Sequence, residues 1–173
     1  MKTLKELRKC DLFTFFRLSE TGRIKEKDGV TRVTCEPGGF QKNIDIEFSV
    51  GKGEVIQEAT IFLERAWIGN ENTVNPFGKD IARSFLADVL PQRDRELLAK
   101  FLAALWQLRG KSDQVISIRS PPPPVTDPDA LRGISVYLGK ESRHEYHLAE
   151  TAVILENIER SGSPWLRIRV IKN

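Results

Sequence analysis

Long apolar runs are absent from this sequence. No stretch approaches the roughly 18 residues that a membrane-spanning helix needs, so none is predicted. Cysteine is scarce: the two present, Cys10 and Cys35, form no Cys-x-x-Cys. That spacing gives no disulfide framework and no zinc ribbon, and predicts two ordinary reduced thiols of an intracellular protein. Histidine is as scarce, with both copies in His144-Glu-Tyr-His147 and no His-Glu-x-x-His. Also missing are Gly-x-x-x-x-Gly-Lys-Ser/Thr, Gly-x-Gly-x-x-Gly after a strand, and Gly-x-Ser-x-Gly. Phosphate-loop, dinucleotide-binding and hydrolase-elbow chemistry therefore have no signature here. The first nine residues are charged and lack the apolar stretch of a secretory signal. The expectation is a cytoplasmic protein with no cofactor, no metal and no membrane partner.

What is present fits a folded chain. Of 173 residues, 40% are hydrophobic and 29% charged, a balance that supports a packed core rather than disorder. The length suits a single domain spanning residues 1–173. Net charge is +3, and the excess sits mainly in residues 1–32, with nine Lys/Arg against five Asp/Glu. Such a bias is weaker than the usual electrostatic footprint of a nucleic-acid binder, so nucleic acid is not the expected partner.

Periodicity places the elements. Residues 3–9 suit a short helix through Leu4 and Leu7. Residues 12–18 fit either helix or strand, and their aromatic and β-branched content favours strand. Asp28-Gly29 is a two-residue hairpin signal joining 23–27 to 30–35, and Pro37-Gly38-Gly39 turns the chain again. Ile44, Ile46, Phe48 and Val50 alternate with Asp45, Glu47 and Ser49, the clearest strand of the chain. Gly51-Lys-Gly53 then returns it along 55–67. Pairing Val50 with Val55 sets Ile46 opposite Ala59, Ile44 opposite Ile61 and Glu47 opposite Glu58.

Asn75-Pro76 reads as a helix N-cap and first position, with Phe77, Ile81, Phe85 and Val89 at helical spacing before Pro91. A second helix is predicted over 93–109, closed by Gly110 and carrying an apolar face wider than a surface helix needs. Val115–Ile118 suits a short strand. The proline-rich stretch at 120–128 suits a stiff surface spacer; its P-x-x-P pattern is also the minimal ligand of a proline-reading module. Strands are expected at 134–138, 153–160 and 165–171; residues 148–158 also fit a helix. The predicted fold is therefore α+β: an antiparallel twisted sheet with the helical pair 76–109 packed on one face. Its expected core is Ile44, Ile46, Phe48, Ile61, Leu63, Phe85, Leu98, Phe101, Leu105, Ile134, Val136, Ile168 and Val170.

Three constellations are candidates for chemistry. His144 and His147 share a face only on a helix, and they lack the further ligands a zinc site requires. Asp45, Glu47 and Glu58 fall on one sheet face, where a proton-transfer couple or a hard-metal site is conceivable; a solvated face relieved by neighbouring arginines is the simpler reading. Arg167 and Arg169 alternate beside Trp165, which suits a single-stranded nucleic-acid platform or merely the outward face of a strand.

The order of strands, helices and further strands is similar to that of small secretion chaperones, whose usual acidity this chain does not share. The expected function is a non-catalytic protein–protein interaction or chaperone-like module, with a protein partner or a second copy of itself. The competing reading is an enzyme using Asp45/Glu47/Glu58 or His144/His147. The apolar supply supports contact: Ile56, Phe62 and Ile68 are assigned to the sheet face opposite Ile61 and Leu63, either covered by another element or left as a patch. A concave pocket with convergent polar groups would instead favour a small-molecule site.

Overall fold

Alternation in the strongest strand dictates a sheet with one dry face. Ile44, Ile46, Phe48 and Val50 are buried, while Asp45, Glu47 and Ser49 between them are only partly covered. The computed structural model describes residues 1–26, 29–39, 42–113 and 123–173. Its strands are β1 (Ser19–Lys25), β2 (Thr31–Glu36), β3 (Ile44–Val50), β4 (Ile56–Glu64), β5 (Arg143–His147), β6 (Thr151–Arg160) and β7 (Ser163–Lys172). They form one seven-stranded sheet in the order β1-β2-β3-β4-β7-β6-β5, antiparallel throughout.

The helices are α1 (Leu4–Leu7), α2 (Asp11–Thr14), α3 (Arg65–Ile68), α4 (Pro76–Val89), α5 (Gln92–Leu97), α6 (Ala99–Gln107) and α7 (Pro128–Tyr137). One core cluster joins Ile46, Phe48, Ile61, Leu155 and Ile168 of the sheet to Leu12, Phe85, Phe101, Leu105 and Val136 of the helices. Phe62 and Ile154, on the other sheet face, lie outside that cluster. The fold is thus two layers, helices on one face of an antiparallel sheet, and all thirteen predicted core residues are buried. No helix among the described residues is long and apolar enough to cross a membrane.

Local signals explain several boundaries. Thr3 and Glu6 form a reciprocal capping box on α1. Asn75 accepts from the Phe77 and Gly78 amides, with Pro76 at the first position of α4. Ser161 and Gly162, both at positive φ, make the tight β6–β7 turn.

Other elements depart from the sequence reading. Residues 11–14 are helical, not a strand: the Leu12 amide donates to Asp88 Oδ2 at 2.8 Å, and Phe13 stacks on Phe48. Of the strand expected at 134–138, residues 134–137 belong to α7 and Leu138 is its C-cap. Asp127 caps that helix through the Ala130 amide at 3.0 Å, and Pro128 opens it, so capping outweighs the β-branched content. The helix expected over 93–109 is broken at Leu98 into α5 and α6 and ends at Gln107, two residues short of the predicted stop. The strand expected over 55–67 gives way to α3 after Glu64, so Ile68 is a buried helix residue.

The β3–β4 register is two residues from the expected one. Ile44 faces Leu63, Ile46 faces Ile61 and Phe48 faces Ala59, and the ladder slips between Ser49 and Val50. Ser49 faces Glu58 and Val50 faces Ile56, so Gln57 is the extra residue of a β-bulge. Because of it Ile56 turns inward and is fully buried, correcting its assignment to the outer face. The strand expected at 115–118, Asp28 of the first hairpin turn and the start of the proline segment lie outside the described residues.

Candidate functional site

The site grows from the point where β4 turns into helix. α3 carries Trp67, and the chain then reverses through Gly69, whose φ is +85°; a side chain there would meet the Thr73 carbonyl oxygen at 2.0 Å. Asn70 and Thr73 close this turn with an amide–carbonyl bond of 2.9 Å. Asn75 ties it to α4: its Oδ1 caps the helix while its Nδ2 donates to the Trp67 carbonyl at 3.2 Å. Gly78 lets α3 and α4 meet closely, since a Cβ there would lie 2.9 Å from Ile68 Cγ2.

α4 next presents Lys79 from within its buried face. The side chain is only 6% exposed, and its ammonium donates to the carbonyls of Trp106 (2.8 Å) and Leu108 (3.1 Å). Those are C-terminal carbonyls of α6, which the intrahelical ladder leaves without donors. Arg109 Nη1 donates to the same two oxygens at 3.0 and 2.9 Å. Two cations therefore end α6 where glycine was expected to do so, and they complement the negative end of its dipole. Burial, then the neighbouring Arg109 and Arg83, lower the pKa of Lys79.

Between these elements lies a concavity of about 930 Å³, lined by residues including Trp67, Trp106, Asn70, Thr73, Asp80 and Arg109. Its volume falls at the upper end of the roughly 300–1,000 Å³ typical of ligand pockets. Trp106 is 50% exposed, an unusual state for a large aromatic side chain. The cleft combines apolar walls with a few fixed polar groups.

The residues singled out from the sequence sit elsewhere. Asp45, Glu47 and Glu58 do share the outer sheet face, but Glu47 faces Thr60 rather than Glu58. Glu58 receives two bonds from Arg169, at 3.1 and 3.3 Å. Asp45 is bound by Arg160, whose other nitrogen is 3.9 Å from Glu47. Arg167 pairs with Glu156 at 2.9 Å. Arg160 also lies over the Phe62 ring, 4.4 Å from its centroid.

β5 sends His144 and His147 apart. His144 is nearly covered, its ring edge-on to Tyr146 and its Nε2 2.9 Å from Asp129 Oδ1, while His147 is 82% exposed. Among the described residues no cluster of three or more His, Cys, Asp or Glu is arranged to hold a metal ion. Cys10 and Cys35 are both free thiols, and burial pushes Cys35 up to about 12.

Comparison with protein-family models, with curated proteins and with solved structures found no match. The cleft therefore stands on its own geometry. One signal for it was present in the sequence: Lys79 interrupts the stripe that continues through Ala82 and Leu86, an i, i+3, i+7 spacing that places a cation on a buried face.

Proposed function

We propose that this chain is a non-catalytic binding module that takes a small, partly apolar ligand into the cleft beside Trp67 and Trp106. The observation that carries the reading is the concavity itself, with two indoles and a fixed ammonium on its walls. Binding is favoured over turnover because the polar groups are engaged in structure. Asn75 caps α4, Lys79 holds the end of α6, and the Thr73 hydroxyl has no base hydrogen-bonded to it among the described residues. The test is a fluorescence screen of small organic compounds. Two of the chain's three tryptophans line the cleft, and Trp165 on β7 serves as the distant reference. Hits should lose affinity in Trp106→Ala at unchanged Tm; undiminished binding by that variant would move the site elsewhere.

A protein contact is the second reading, favoured by the exposure of Leu97 on α5 and Leu131 on α7. It predicts a self-associating or partner-bound species in sedimentation that Leu97→Lys with Leu131→Lys dissolves.

A further inference from the structure

The cleft holds donors that the described residues leave unfilled. An ammonium carries three N–H bonds, and two of those of Lys79 reach the Trp106 and Leu108 carbonyls. The third has no acceptor among the described residues. Among the described residues Arg109 uses only Nη1, so its Nε and Nη2 are likewise open there. Neither cation has a carboxylate within ion-pair distance among the described residues, whereas Arg160, Arg167 and Arg169 on the far face of the sheet each have one. A covered ammonium without a counter-ion is unfavourable, and its lowered pKa is the same penalty seen from the proton's side.

Charge counting sets the sign and size of what is missing. Among the described residues of the cleft wall Lys79 and Arg109 stand against Asp80 alone, which leaves one positive charge. Resting on the binding reading above, we infer that the ligand is an organic monocarboxylate. Its flat apolar body lies against the indoles, and its carboxylate accepts from the open donors of Lys79 and Arg109. A carboxylate is acceptor-only and binds such donors with charge-assisted bonds. A dianion would overshoot the single surplus charge.

The experiment is a calorimetric titration of the full chain with naphthoate and with naphthamide, which match in shape and differ in charge. Naphthoate should bind at least about tenfold more tightly at low ionic strength, as expected for bonds to a charged group, and added salt should shrink that advantage. Arg109→Gln, at an exposed position, should bring naphthoate close to naphthamide; Lys79→Met should do the same wherever it folds. Equal or tighter binding of naphthamide overturns the carboxylate and leaves the cleft reading in place. A charge preference that survives Arg109→Gln in full overturns the assigned donors. Failure of both compounds to bind the folded protein at millimolar concentration overturns the cleft reading and this inference together.

Discussion

The two faces of the sheet treat charge in opposite ways. On the outer face carboxylates meet guanidinium groups from adjacent strands: Glu58 with Arg169, Glu156 with Arg167, Asp45 with Arg160. On the helical side the buried Asp94 and Lys79 and the half-buried Arg65 have no counter-ion among the described residues and are held mainly by the backbone. Asp94, fully buried, accepts from the amides of Ala149 and Glu150 and from the Thr151 hydroxyl at 2.7 Å. Arg65 donates to the carbonyls of Val136 and Tyr137 at the end of α7 and to Asn157. Lys79 does the same at the end of α6. The difference teaches what each set is for. The outer pairs are half-buried, adjust to one another and contribute modestly. A covered charge bonded to fixed peptide groups pins elements far apart in sequence, even where a second donor shares the carbonyl, as Arg109 does with Lys79 and Asn157 does with Arg65.

This contrast can be broken by substitution, and the largest effect is expected at Asp94. Asp94→Ala removes the acceptor of the buried Thr151 hydroxyl and of the Ala149 and Glu150 amides and should destabilise by roughly 2–4 kcal/mol; a loss in urea unfolding of less than a quarter of that size would remove Asp94 as the anchor of the β5–β6 turn. Arg65→Met follows. It takes the guanidinium from the Tyr137 carbonyl and Asn157 Oδ1, while Asn157 Nδ2 and the Gly139 amide still reach the Val136 carbonyl, so a loss of roughly 2–3 kcal/mol is expected, read from thermal unfolding.

Lys79→Met should destabilise by roughly 1–2 kcal/mol at neutral pH and should also flatten a pH dependence. In the fold its pKa lies below the ordinary 10.5. The folded chain therefore binds fewer protons than the unfolded chain between the lowered value and 10.5. Wild-type stability should rise with pH through that window by this group's contribution. Urea titrations stepped upward from neutrality, compared with Lys79→Met, test the sign. A falling difference would mean that Lys79 gains a counter-ion in solution.

The outer face supplies the small effects. Arg169→Ala should cost under about 1 kcal/mol and less in high salt; a loss equal to that of Arg65→Met would erase the distinction between the faces. The smallest change expected has the opposite sign. The Tyr137 hydroxyl is buried without a hydrogen-bond partner among the described residues, and burial raises its pKa. Tyr137→Phe should therefore leave stability equal or higher by up to about 1 kcal/mol, measured by the shift in Tm.

Much of the fold was legible because its signals are local. The alternation of Ile44–Val50, the Gly51-Lys-Gly53 turn and the Asn75-Pro76 cap each specify their element without help from distant residues. Where distant residues decide, reading failed. Leu12 enters a helix under the carboxylate of Asp88, which no window around residue 12 contains. The failure at 134–138 had a different cause. Asp127-Pro128 is the same acceptor-proline signal as Asn75-Pro76, obscured by the prolines before it and by the β-branched residues after. The cleft was illegible for the reason that Leu12 was: Trp67, Lys79 and Trp106 converge only when α6 ends against α4. Lys79 alone, misplaced on an apolar stripe, hinted at it.

The extra residue at Gln57 sets a phase boundary in the chain. Inward positions in β4 run 59, 61, 63, and the bulge lets position 56 join them, though simple alternation would point it to solvent. At this same point the Ile56 amide donates to the Lys2 carbonyl, and Thr3 bridges Val55. The N-terminal segment is thus fastened to the short stretch whose count differs from the rest of the strand. A single-residue deletion scan would meet an asymmetry here. Removing Gln57 restores an unbroken alternation and keeps Ile56 inward opposite Val50, whereas removing Thr60 turns Ala59 outward and Glu58 inward. Removing a residue from the Gly51–Glu54 turn leaves the phase of the sheet intact.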